Sequence, residues 1–276
     1  MPELPEVEHI VRTLRNAITG ARIVAAELKQ KKLAPGISRA AFNRKLANSR
    51  ITGVSRRGKF ILIELDTKQV LVVHLRMTGK LLSLDVDQGL PLYAHVVFYL
   101  DDERRLVFCD LRQFGRLKIV PAARLHTLRE LGALAPEPMS ADFSVDYLRA
   151  TLARSQRPLK LLLLDQTRVL GLGNIYAAEA LFFARISPFA LAATLSKKRA
   201  ARLHEAVLNV LTEAIDLGST LKIDLADGGA SYFGSTERFW RVYEREGDPC
   251  VNCAAKIRRV VQGGRSTYFC PRCQRR

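Results

Sequence analysis

The sequence predicts an α+β multidomain protein: an N-terminal β-sandwich with flanking helices, then a helical domain, then a C-terminal β-hairpin built around a metal. Three observations carry this. Short runs rich in Val, Ile, Leu and Phe recur from about residue 22 to 120, helical periodicity takes over after about residue 160, and four of the five cysteines crowd into residues 250–276.

In chain order, Val7, Ile10, Val11, Leu14 and Ile18 recur at helical spacing and Gly20 ends the run, which predicts a helix with one buried face. The runs IVAAEL, KFILIEL, QVLVVHL, HVVFYL, RRLVFCDL and GRLKIV follow, separated by Gly, Asp and Pro, and their spacing suits a sandwich or barrel. The stretch LGALAPEPMSADF, residues 131–143, breaks both periods and reads as a linker. It divides the chain into domains at 1–130, 144–238 and 239–276. Beyond it, KLLLLDQTRVL, the turn GLGN and IYAAEALFFARI predict a helix-turn-helix-like pair, and KKRAARLHEAVLNVLTEAIDLG predicts one long helix. Residues 222–235, glycine-rich and without apolar period, read as a long mobile loop.

Composition narrows the partners. The 276 residues are 48% hydrophobic and 26% charged, ordinary for a soluble protein, and no run approaches the ~18 apolar residues that span a bilayer. Nothing marks the start as an export signal. Against 27 acidic residues stand 44 Lys+Arg, a formal charge of +17 and a pI near 10.1. Such a field attracts phosphate backbones and makes affinity salt-dependent, so a nucleic acid is the expected partner. Charge names a partner and leaves the reaction open.

CVNC is followed sixteen residues later by CPRC, so Cys250, Cys253, Cys270 and Cys273 offer four thiolates for a tetrahedral zinc site. Two disulfides are the alternative, disfavoured in a chain without an export signal. With four protein ligands the zinc has no position open to water and is structural. The intervening QGGRSTYF predicts a hairpin with a Gly-Gly turn and places Arg265 at or near its tip, where a rigid support suits a guanidinium that grips phosphate.

The start MPELPEV admits two readings. Pro5, Glu6 and Glu8 suit a helix start and its positive dipole end. Pro2 and Glu3 precede that helix. Once Met1 is removed, Pro2 is a secondary amine with a pKa near ~8, against roughly 10.4 for lysine, and so keeps a neutral fraction at neutral pH. Its attack on a sugar carbon gives a permanently cationic iminium, an electron sink for elimination, and Glu3 stands beside it as a proton donor.

Taken in order, MPELPEV, RRGKF, HLRMTG, DLRQFG, GLGNIYAAEALF and GGRSTYFCPRCQ resemble the bacterial formamidopyrimidine-DNA glycosylases over nearly the whole chain. The resemblance implies a β-sandwich flanked by helices, a helix-two-turn-helix domain and a zinc hairpin. It implies a bifunctional enzyme of base-excision repair that removes 8-oxoguanine and formamidopyrimidines from damaged double-stranded DNA and cleaves the abasic strand by β,δ-elimination. In this reading Pro2 is the nucleophile and Glu3 the proton donor, while Lys59 serves β-elimination and Arg265 serves δ-elimination. The target base is flipped out. Met77, Arg112 and Phe114 then match the set that fills the vacated space, a task suited to a flexible thioether, a guanidinium and a wedging ring. His74, His95, Lys160 and Asn174 match positions at the DNA backbone; His95 rests on the short AHVVF alone, and its alternative is a strand histidine with a partner inside the fold. One structural zinc, a monomer and a bacterial cytoplasmic location complete the expectation.

Three positions depart from the family pattern: His9 stands where threonine is usual, Arg76 replaces a usual glycine in HLRMTG, and Glu244 interrupts the usual VYGREG. The rival readings are an endonuclease VIII-like glycosylase for oxidised pyrimidines and a non-catalytic zinc protein that binds DNA.

Overall fold

The structure is a computed structural model that describes residues 1–218 and 240–275. The loop expected over residues 222–235 lies outside the described residues.

Helix α1 (Leu4–Ile18) opens the chain, with Val7, Ile10, Val11, Leu14 and Ile18 buried as their spacing requires. Strand β1 (Ile23–Leu28) and helix α2 (Arg39–Leu46) follow, the helix capped by the Ser38 hydroxyl, which accepts the Ala41 N–H. Strands β2 (Ile51–Arg57), β3 (Phe60–Leu65), β4 (Gln69–His74), β5 (Gly79–Asp85), β6 (Ala94–Leu100), β7 (Arg104–Asp110) and β8 (Arg116–Pro121) then build two antiparallel sheets, ordered β1-β6-β7-β5 and β2-β3-β4-β8. Inward residues of both sheets, among them Ile61, Ile63, Val73, Phe98 and Phe108, share one core with α1 and with Phe42 and Leu46 of α2. Leu82, Val97 and Val107 form a second apolar cluster, separate from that shared core. Burial on both faces explains why runs such as HVVFYL are apolar almost throughout.

Helix α1 lies along β2. Arg15 Nε donates to the Val54 carbonyl at 2.9 Å, and Arg56 Nε reaches the Glu8 carboxylate at 2.6 Å. Moving towards the helix N-terminus therefore advances along β2 towards its turn. The start of α1 and the β2–β3 turn share one end of the sandwich.

Met1–Gly132 form one compact unit, and the described residues from Ala133 onward form another. The first closes with helix α3 (Arg129–Gly132). The stretch expected as a linker is anchored rather than loose: Leu131 is buried in α3, the Ala135 N–H reaches the Gln166 carbonyl at 3.0 Å, and buried Phe143 stacks on His204 with ring centres 5.1 Å apart. The second unit holds α4 (Val145–Ala153), α5 (Leu159–Leu163), α6 (Asn174–Phe183) and α7 (Lys197–Gly218), then a hairpin of β9 (Arg258–Gln262) and β10 (Arg265–Phe269). The run KLLLLDQTRVL forms only the five-residue α5, because beyond it the Asp165 carboxylate accepts from the Thr167 N–H and hydroxyl and closes a local turn.

Candidate active site and zinc hairpin

Glu3 is the N-cap of α1 and forms a capping box with Glu6, whose carboxylate accepts the Glu3 N–H at 2.8 Å. Glu3 is only 2% exposed, and Pro2 is buried as well. Its carboxylate is set by the first turn of the helix, not by bulk water. Lys59 is also buried, in the two-residue turn Gly58–Lys59 that joins β2 to β3, with Gly58 at φ +55°. Positive φ there is what a tight hairpin needs and glycine gives freely.

One register step carries the site onward. Phe60 pairs with His74 across β3 and β4, and their rings meet edge-on at 4.5 Å. The Arg76 N–H donates to His74 Nδ1 at 3.0 Å, so Nδ1 is the acceptor and Nε2 carries the ring proton. Burial, and then the charges of Arg76 and Lys59, push His74 down to about 3, so at neutral pH its ring is an uncharged N–H donor.

The β4–β5 and β7–β8 connections meet at the same end, since Gly79 pairs with Asp110. They present Met77 and Phe114, 45% and 47% exposed, large apolar side chains left open to solvent. Arg112 joins the two: its Nη1 lies 3.1 Å from the Met77 sulfur and its guanidinium stands 4.7 Å from the centre of the Phe114 ring. Beneath them lies a residue that sequence reasoning missed. Asp110 is fully buried; its carboxylate accepts from the Thr78 hydroxyl and, at 2.7 Å, from the Gly115 N–H, while its carbonyl accepts from His95 Nε2 at 3.1 Å. His95, expected at the DNA backbone, is thus buried in β6 with a partner inside the fold. The only sequence signal for Asp110 is an acidic residue ending an apolar run in RRLVFCDL.

In the second unit, the hairpin turn forms at Gly263 and Gly264, with φ of +57° and +73°, and Arg265 is exposed at the first position of β10. Lys160, expected at the DNA backbone, is fully buried and its ammonium donates at 2.7 Å to both the Ser266 carbonyl and the Thr267 hydroxyl. It holds the strand that carries Arg265. Asn174 begins α6, and its Oδ1 is buried without a hydrogen-bond partner among the described residues. Glu179 on the same helix accepts the N–H groups of Arg241, Val242 and Tyr243 at 2.9, 3.0 and 3.0 Å and so fixes the approach to the zinc module.

The sulfur atoms of Cys250, Cys253, Cys270 and Cys273 all lie within 4.8 Å of one another, with Cys250–Cys273 at 3.9 Å and Cys253–Cys270 at 3.5 Å. A tetrahedron with Zn–S bonds of ~2.3 Å has edges of about 3.8 Å, so the donor set fits zinc. The Asn252 and Cys273 N–H groups, each 3.4 Å from a sulfur, suit thiolate ligands. The site holds one structural zinc ion.

Comparison with known proteins agrees with this geometry. The family model of the formamidopyrimidine-DNA glycosylase N-terminal domain matches residues 1–117, that of the H2TH domain residues 134–224, and a zinc finger found in FPG and IleRS residues 247–276. The formamidopyrimidine-DNA glycosylase of Pelotomaculum thermopropionicum is 42% identical over 275 residues, covering 100% of this chain and 99% of its own. This chain belongs to the formamidopyrimidine-DNA glycosylase family. The family enzyme of Heliobacterium modesticaldum is likewise 42% identical, with both chains fully covered. Among solved structures, the Lactococcus lactis enzyme bound to DNA containing an abasic site superposes with a TM-score of 0.89 at 31% identity, over 99% of this chain and 100% of that one. MutM in complex with DNA containing carbocyclic 8-oxo-G matches with the same score and identity, over 100% of both chains. No described helix is long and apolar enough to cross a membrane.

Proposed function

We propose that this chain excises oxidised purines, 8-oxoguanine and formamidopyrimidines, from duplex DNA and then cleaves the abasic strand. The observation that carries the reading is that Pro2 and Glu3, the Lys59 turn, His74 and the exposed Met77, Arg112 and Phe114 all belong to one end of one sandwich. The relatives bound to 8-oxo-G and abasic DNA support the substrate class.

With Met1 removed, the Pro2 nitrogen attacks C1′ of the flipped nucleoside, the N-glycosidic bond breaks, and the base leaves. The sugar ring opens as Glu3 delivers a proton to its oxygen, which leaves an iminium between Pro2 and C1′. Loss of a C2′ proton expels the 3′ phosphate, with Lys59 as the adjacent general acid–base group, and Arg265 serves the second elimination at the 5′ phosphate. Met77 and Phe114 occupy the space left in the stack while Arg112 faces the orphaned base. Asn174 and the neutral N–H of His74 hold backbone phosphates. Zinc, when bound, fixes the hairpin and takes no part in bond making. The enzyme acts as a monomer in the bacterial cytoplasm.

Borohydride trapping on abasic duplex DNA tests the chemistry. A covalent adduct that disappears in Pro2→Gly is expected; failure to trap with Met1 shown absent overturns the lyase. Glu3→Gln is expected to abolish base release yet spare trapping at a preformed abasic site. Base release from 8-oxoguanine:cytosine against thymine-glycol duplexes tests the substrate, and activity confined to thymine glycol overturns the purine assignment.

A further inference from the structure

We propose that Arg76 grips a phosphodiester of bound DNA beside His74. The inference rests on the reading that this face binds DNA. Cross-strand register places Arg57, Phe60, His74 and Arg116 in one row across β2, β3, β4 and β8. Arg76 follows His74 by two residues and is exposed. It shares a cleft with His74, Arg116, Lys118 and Glu130.

The other charges in that cleft are engaged. Lys118 stands 3.6 Å from the Glu130 carboxylate, and Arg116 Nη1 donates to the Phe114 and Gly115 carbonyls at 3.2 and 2.7 Å. Among the described residues, Arg76 has no carboxylate partner. Its own backbone N–H makes His74 Nδ1 the acceptor, so the ring proton sits on Nε2. A guanidinium and an N–H donor thus stand side by side on a strongly basic protein, and a tetrahedral anion with several acceptor oxygens is the ligand that suits both.

The backbone adds a second observation. Arg76 has φ +56°, in a turn closed by the Gly79 N–H to the Leu75 carbonyl at 3.0 Å. The left-handed region costs an L-residue about 1 kcal/mol where glycine costs nothing. That turn sets where the Arg76 side chain leaves the end of β4, and it lines one cleft with His74. Arg76 and Lys59 also act together on His74 through their charges, which places all three groups within one local field.

The test is the salt dependence of binding, by fluorescence anisotropy, to a duplex carrying a tetrahydrofuran abasic analogue and to the same duplex undamaged. Each phosphate contact contributes about 0.9 to the slope of log K against log salt. Arg76→Gln and Arg76→Gly are each expected to reduce that slope by about 0.9, and Arg76→Lys to retain most of it. Lys68→Gln is the matched control: Lys68 is also exposed and left-handed, at φ +58°, but precedes β4 at its far end. Slopes for Arg76→Gln that match wild type and Lys68→Gln overturn the proposal. A wild-type protein with no preference for the abasic duplex overturns the base-excision reading instead, and the slopes on undamaged duplex still decide the role of Arg76.

Discussion

Thr78 relays between two loops: its hydroxyl donates to the buried Asp110 carboxylate and accepts the Arg112 N–H at 3.1 Å. The second Asp110 oxygen holds the Gly115 N–H, so one carboxylate sets the position of Met77 on one side and of Arg112 and Phe114 on the other. An asparagine offers only one acceptor oxygen and turns an N–H donor on the other partner. Asp110→Asn is expected to cost about 2 kcal/mol of stability, the scale of a buried hydrogen bond to a charged group. Excision of 8-oxoguanine from duplex should fall while trapping at an abasic site in single-stranded DNA, which needs no filling of the stack, changes little. Thr78→Val should act non-additively with it in a double-mutant cycle.

Arg76 and Glu244, two positions where the resemblance implies glycine, both lie on left-handed backbone at φ +56°. Glycine at either position relieves that strain and gives back part of it as unfolded-chain entropy, for a net gain of about 0.5 kcal/mol each. Arg76→Gly and Glu244→Gly should therefore raise the denaturation midpoint slightly at unchanged m-value. Loss of DNA affinity should accompany the first and not the second.

His74 ties stability to acidity. Its folded pKa of about 3 lies below the unfolded value near 6.5, so between these limits the unfolded chain binds the extra proton. The contribution is complete above pH ~6.5 and is lost as pH falls, amounting to about 2 kcal/mol by pH ~5. Denaturant melts of His74→Gln against wild type at pH ~5 and ~7 measure it. A variant as pH-sensitive as wild type over that window would show that His74 is not the linked group.

Metal analysis is expected to find one zinc per chain, lost in Cys273→Ala. Apparent zinc affinities of structural sites reach ~10 kcal/mol and more, so loss should unfold the hairpin that carries Arg265. Duplex affinity then falls, and the residual cleavage product shifts from β,δ towards β-elimination.

Much of the fold is written in apolar period. α1, α7 and the strands of HVVFYL type are legible because burial forces their pattern. Strands β2 and β5 are not: ITGVSRR and GKLLSLD carry Gly, Ser and Arg, and they are strands because neighbouring strands offer them a ladder. The partners of Asp110 and Lys160 are illegible for another reason. Single polar residues inside an apolar run show nothing of the partners that reach them from elsewhere, and Lys160 meets Ser266 and Thr267 more than a hundred positions away. The cysteine quartet and the Gly-Gly turn were legible because their chemistry is local.

Met1 is 47% exposed while Pro2 is buried beneath it, and the Pro2 nitrogen joined to Met1 is an amide with no lone pair to offer. In the proposed chemistry the nucleophile is the free Pro2 amine, so any residue joined to that nitrogen, Met1 included, blocks attack on the sugar. An N-terminal affinity tag left in place would block that amine in the same way however well the protein folds and binds DNA, so a tag for this protein belongs at the other end.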